Sequence, residues 1–110
     1  MTLHFNEYQQ QADVFAKDNA RNIHLYLLPG LAGEVGELCS LYAKHWRDEG
    51  HKSEPLDWEK VKKELGDILW FVSEIAFREG ISLLDVAETN IAKLASRQQR
   101  GTIGGSGDNR

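Results

Sequence analysis

The sequence predicts an all-α protein of four helices. Three observations lead there. Apolar residues recur at helical spacing in four segments, and Pro29-Gly30, Gly50, Pro55 and Gly80 punctuate the chain between or near the segment ends. Two short acidic motifs, Glu34-x-x-Glu37 and Glu64-x-x-Asp67, each stack a pair of carboxylates on one helical face.

The first helix is read over residues 2–20, where Leu3, Phe5, Tyr8, Ala12 and Phe15 form the apolar stripe, with Gln9, Gln10, Gln11, Lys17 and Asp18 between them. Residues 19–22 read as a turn. The second helix begins around Arg21 to Ile23 or restarts at Pro29, because proline suits a first turn and kinks an interior. It stops at Gly50. Gly33 and Gly36 inside it each cost about 1 kcal/mol against alanine, which implies close backbone approach there by a helix or a ligand. The third helix covers about Pro55 to Glu79 and ends at Gly80. Trp70 and Phe77 lie opposite its main apolar arc, so both faces of this helix need cover, more than one small subunit is expected to supply. The fourth helix starts at the Ser82 N-cap with Asp85 at N3 and runs to about Gln99. Residues 1–100 are thus read as one helical domain and 101–110 as a flexible, Gly-rich tail.

The acidic pairs are the chemical signal. A single Glu-x-x-Glu is most often a solvated face. Here Glu34 falls inside the apolar arc set by Leu27, Leu31, Val35, Leu38 and Leu41, with Glu37 at its edge. Glu64 falls inside the arc of Val61, Ile68, Phe71 and Val72, with Asp67 beside it. Two helices therefore aim four acids at a shared core, and such a cluster needs a cation. All-oxygen ligands select a hard ion, Mg²⁺ or Mn²⁺, over zinc. A ferritin-like di-iron site is disfavoured because no Glu-x-x-His occurs.

Composition sets outer limits. The 110 residues suit one modest core, and a formal net charge of −4 argues against coating nucleic acid by bulk charge. Cys39 is the sole cysteine, which rules out an internal disulfide and suits a reducing compartment. The polar N-terminus and the lack of a long apolar run point to a cytoplasmic protein, with no membrane partner.

On the fourth helix Asn90, Lys93 and Arg97 form a narrow stripe beside the apolar arc. By itself this is an ordinary basic C-terminal half that suits the helix dipole. Beside a magnesium site it matches what a metal-chelated polyphosphate needs, because Lys and Arg meet the phosphate charge that the metal leaves. Lys44, Arg47 and Arg100 are weaker additions.

The motifs Gly-Leu-Ala-Gly-Glu-Val-Gly-Glu at 30–37, Glu-Leu-Gly-Asp-Ile-Leu-Trp at 64–70 and Asn-Ile-Ala-Lys-Leu-Ala-Ser-Arg-Gln-Gln-Arg-Gly at 90–101 resemble the MazG-like all-α nucleoside triphosphate pyrophosphohydrolases. That family's signature is Glu-x-x-Glu, a spacer, then Glu-x-x-Asp, and here the spacer is residues 38–63. The resemblance covers nearly the whole chain, including the Gly-Ser-Gly-Asp-Asn-Arg ending found in small phage and bacterial members. It implies a four-helix bundle that works as a dimer or dimer of dimers and converts a (d)NTP and water into the monophosphate and pyrophosphate. Carried onto this chain, Glu34, Glu37, Glu64 and Asp67 bind Mg²⁺ and act in catalysis, while Asn90 and Lys93 contact the nucleotide. Arg97 joins them from the stripe. Some members carry an extra Glu directly before the first motif acid, proposed to activate the attacking water. This chain has Gly33 there, so the base is either a motif carboxylate with a free oxygen or metal-bound water acting alone. Candidates for a base pocket are Phe15, Tyr42, His45 and Trp46. The competing readings are a catalytically silent nucleotide- or partner-binding module and a structural bundle whose acids pair with Lys62, Lys63 or Lys93.

Overall fold

The computed structural model describes residues 2–49 and 56–101, apart from the side chain of Glu49. Four α-helices follow one another, with no strand among the described residues: α1 (Phe5–Asp13), α2 (Leu28–Glu49), α3 (Trp58–Arg78) and α4 (Leu83–Arg100). A 3₁₀ turn (Asp18–Arg21) and a π-helical turn (Ile23–Leu27) join α1 to α2. The expected stop at Gly50, the connection containing His51 and Pro55, and the tail 102–110 lie outside the described residues.

Local chemistry explains most helix ends. Asn22 starts the wide turn, with its side chain accepting from the Leu25 amide at 2.8 Å and its carbonyl from the Leu27 amide at 2.9 Å. Regular α-helix takes over at Leu28, next to Pro29, which is the restart expected from the sequence. The third helix begins three residues later than Pro55, because Asp57 caps the amides of Glu59 and Lys60. It ends where Gly80 takes φ +75°, with the Ile81 amide returning to the Ala76 carbonyl. Ser82 caps α4 through the Asp85 amide, and left-handed Gly101 closes it.

The first helix departs most from its expected form. It stops at Asp13 rather than near residue 20, so Phe15 leaves the stripe and is 76% exposed. Leu3 and Phe5 are also exposed, whereas Gln9, placed by its chemistry on the polar face, is buried. Gln9 bridges three segments. Its amide nitrogen donates to the Ser73 and Ile81 carbonyls, and its oxygen accepts from the Leu83 amide. Asn6 accepts from the Leu84 amide, so α1 satisfies two otherwise orphaned donors at the start of α4.

The core lies on α3. Leu27, Val61, Phe71 and Ala76 are buried where α2 and the π-helical turn cross it, and Ala12 and Ala16 are buried on the α1 side. Trp70 donates its indole N–H to the Ala12 carbonyl at 3.0 Å and meets Phe71 edge-on. Trp70 is thus covered by α1 within one chain, whereas Phe77 on the same side and Leu65 and Leu69 remain exposed, so a single chain covers α3 only in part. The close approach expected at Gly33 and Gly36 occurs instead at Gly30, where an added Cβ would sit 2.3 Å from the Phe71 ring. Around Gly33 and Gly36 no described atom lies within 4 Å of that position.

The fourth helix packs on α1 and α3 and makes no comparable packing with α2. The radius of gyration is 17.0 Å, against about 13 Å for a compact chain of this length. Ile91 is 66% exposed, and Leu65, Leu69, Leu84 and Val35 are exposed as well. One chain leaves much apolar surface uncovered.

Candidate metal centre

Where α2 runs beside α3, Glu34, Glu64 and Asp67 each offer a carboxylate oxygen, and the three atoms lie within 4.8 Å of one another. Their helical positions set this up: Glu34 and Glu64 sit at the margins of facing apolar arcs and are half-buried, while Asp67, one turn after Glu64, is exposed. Glu37 is exposed one turn beyond Glu34 and outside the group of three, though its charge acts on Glu34.

The electrostatics are those of a crowded acidic corner. Burial first, then the charge of Asp67, a hydrogen bond with Glu64 and the charges of Glu64 and Glu37 hold the Glu34 carboxyl above its ordinary range. Oε2 of Glu64 is buried with no hydrogen-bond donor among the described residues. A glutamate with one buried oxygen that lacks a donor, in a group with two other carboxylates, fits a hard divalent cation. Lys62, one of the lysines suggested as an ion-pair partner, pairs with Glu59 instead.

The basic row sits elsewhere. Asn90 and Lys93 line an open groove of about 450 Å³ with Ile81, Asp85, Val86 and Thr89, and none of the four motif acids lines it. Arg97 is only 4% exposed, set into the packed side of α4. Arg47 is paired with Asp48, and Arg100 with the Ser96 hydroxyl. Tyr42, His45 and Trp46 follow at one-turn spacing on α2, with Tyr42 and Trp46 exposed. Phe15 stands apart from them, in the segment after α1.

Tyr8 escaped the sequence reading as a site residue. It reaches from α1 toward α3, where burial first, then the charges of Asp67 and Glu74, raise its hydroxyl above the usual range. It also borders a largely apolar cavity of about 540 Å³ lined by Leu3, Phe5, Leu69 and Leu84. Glu74, buried two turns after Asp67, was missed too. An acid amid the apolar run Ile68 to Phe77 was the available signal.

Against known proteins, residues 22–102 match the family profile described as the MazG nucleotide pyrophosphohydrolase domain. The "Gene 37 protein" of Mycobacterium phage L5 is 39% identical over 85 residues, 77% of this chain and 75% of the relative. No solved structure matches.

Proposed function

The chain belongs to the MazG nucleotide pyrophosphohydrolase family, and from that premise we propose that it is a Mg²⁺-dependent hydrolase that converts a (d)NTP and water into the monophosphate and pyrophosphate. The observation that carries this reading is the convergence of carboxylate oxygens of Glu34, Glu64 and Asp67, supported by the buried Glu64 Oε2 that lacks a donor among the described residues. These three would hold the metal, with Glu37 reaching it from the next turn. Bound there, Mg²⁺ or Mn²⁺ neutralises phosphate charge and acidifies water. The chain's own part is positioning. Glu34 and Glu64, anchored in the α2–α3 packing, keep their oxygens aimed at one point whether or not the site is loaded. The exposed Asp67 keeps the corner open on the substrate side. Asn90 and Lys93 would supply an amide and an ammonium for the nucleotide. With Gly33 in place of an acid, the proton of the attacking water would pass to a motif carboxylate with a free oxygen, or the metal would acidify that water enough to need no separate base.

The reading includes self-association. Because α4 does not pack on α2, a second copy is what brings a basic row to the carboxylate corner. The open space at Gly33 and Gly36 and the exposed Val35, Leu65, Leu69 and Ile91 offer it a surface. Light scattering at micromolar concentration should show a dimer or tetramer; a monomer overturns this part.

The direct test is to incubate the protein with each of eight NTPs and dNTPs plus Mg²⁺ and chromatograph the products. Monophosphate and pyrophosphate are expected. Intact nucleotide that binds measurably would make the protein a silent binding module, and neither result would leave a structural bundle.

A further inference from the structure

Two turns along α3 from Asp67, where the helix meets α1, lies a second cluster of acids. Glu74 is 1% exposed, and no described group donates a hydrogen bond to either of its carboxylate oxygens. The guanidinium of Arg78, one turn on, hydrogen-bonds Asp13 at the end of α1 and stays 3.8 Å from Glu74 Oε2. The Arg78 nitrogen that bonds Asp13 is the same one that faces Glu74, so the two carboxylates lie side by side at one guanidinium. Two carboxylates bond to one another only if one of them carries a proton. Two anions beside one arginine would leave a net negative charge inside the seam, at high desolvation cost. Arg21 adds little, because it is partly exposed and faces Asp18 at 3.8 Å. Tyr8, the other titratable side chain that faces Glu74 from α1, is a neutral phenol that adds no positive charge.

We propose that Asp13 and Glu74 hold one proton between them, and that this proton, with Arg78, fastens α1 to α3 and keeps Tyr8 beside the Asp67 end of the carboxylate corner. The remaining seam bonds are neutral: Gln9 to the Ser73 carbonyl and Trp70 to the Ala12 carbonyl. The shared proton is thus the part of the seam that responds to pH. Burial first, then the Asp13 charge and hydrogen bond, against the opposing charge of Arg78, push Glu74 up to about 7. Its folded value lies above its unfolded one. The stability it lends is therefore complete below the ordinary glutamate range and is lost as pH rises through about 7. Loss of the proton loosens α1, and with it the Tyr8 wall. This concerns the packing of α1 and stands whether or not the corner hydrolyses nucleotides.

The test is thermal unfolding of the full chain and of Glu74→Gln at pH 6 and pH 8, in chelator and at fixed protein concentration. Between these pH values the folding constant of the unaltered chain should fall about tenfold more than that of Glu74→Gln, which donates its hydrogen bond at any pH. At pH 8 the variant should melt higher. Hydrogen exchange of the α1 amides, corrected for the intrinsic rate, should rise with pH relative to α2 in the unaltered chain and not in Glu74→Gln. Equal pH slopes, or a Glu74→Gln chain that melts lower at pH 8 with α1 open at both pH values, would mean an ordinary ion pair and overturn the proposal. The carbon-13 titration of the Glu74 carboxyl in the unaltered chain gives a reading free of substitution. A midpoint near 7 supports the shared proton, and one in the usual carboxylate range overturns it.

Discussion

Two stretches of α3, one against α2 and one against α1, solve the same problem in different ways. On the α2 side, Glu34, Glu64 and Asp67 crowd their charges in a half-open corner, and no ion pair among the described residues joins a cation to any of the three. Two turns further on, against α1, Glu74 is buried beside the partly exposed Asp13, in a seam that carries its own arginine. A carboxylate as buried as Glu74 must be neutralised by what the chain sets beside it. An open corner can leave its charge unmet and take a cation from solution. The difference teaches that acid clusters in one small protein divide by access: the more open one is free to take a cation, and the more buried one must be met from within the chain.

The sharpest way to break this comparison is Glu64→Gln. In the corner it removes a charge while keeping shape, so hydrolysis should fall by at least about a hundredfold. The chelator-treated melting temperature should equal or exceed that of the unaltered chain, because repulsion is relieved. Saturating Mg²⁺, at 100 times its dissociation constant, should add about 2.7 kcal/mol to the unaltered chain and much less to the variant. If Glu64→Gln melts well below the unaltered chain in chelator and Mg²⁺ moves neither, the corner is a fastening like the seam.

A smaller effect is expected from Lys93→Ala, whose loss of one charge-assisted phosphate contact should cost on the order of 1.5–3 kcal/mol in kcat/KM. Mixing it with Glu64→Gln sharpens the result. If the basic row serves the corner of another copy, mixed oligomers regain activity that neither variant has alone. Failure to complement would place row and corner in one chain.

The smallest effects separate the packed and open sides of α2. Gly30→Ala drives a methyl into the Phe71 ring and should cost about 1–3 kcal/mol. Gly33→Ala meets no described atom and should stabilise a single chain by about 1 kcal/mol through helix propensity. Thermal unfolding checks both. Where a second copy packs on Gly33, the same substitution should instead weaken association, which light scattering would register.

What the chain determined by itself was local. Helical period placed four helices, and short-range chemistry at Ser82, Gly80 and Gly101 ended or began them, because capping groups act within a few residues. The carboxylate corner was legible for a similar reason. Glu34 and Glu64 interrupt apolar arcs, so any packing that buries those arcs brings the two acids near each other. Tertiary structure decided the rest. It ended α1 at Asp13, buried Gln9, gave the close approach to Gly30 rather than Gly33, and set Arg97 into the packed side of α4. The seam shows why such outcomes escape a sequence. Asp13 and Glu74 lie far apart in the chain, and each alone reads as an ordinary polar residue of its helix. Only the docking of α1 strips water from Glu74 and sets Asp13 and an arginine beside it.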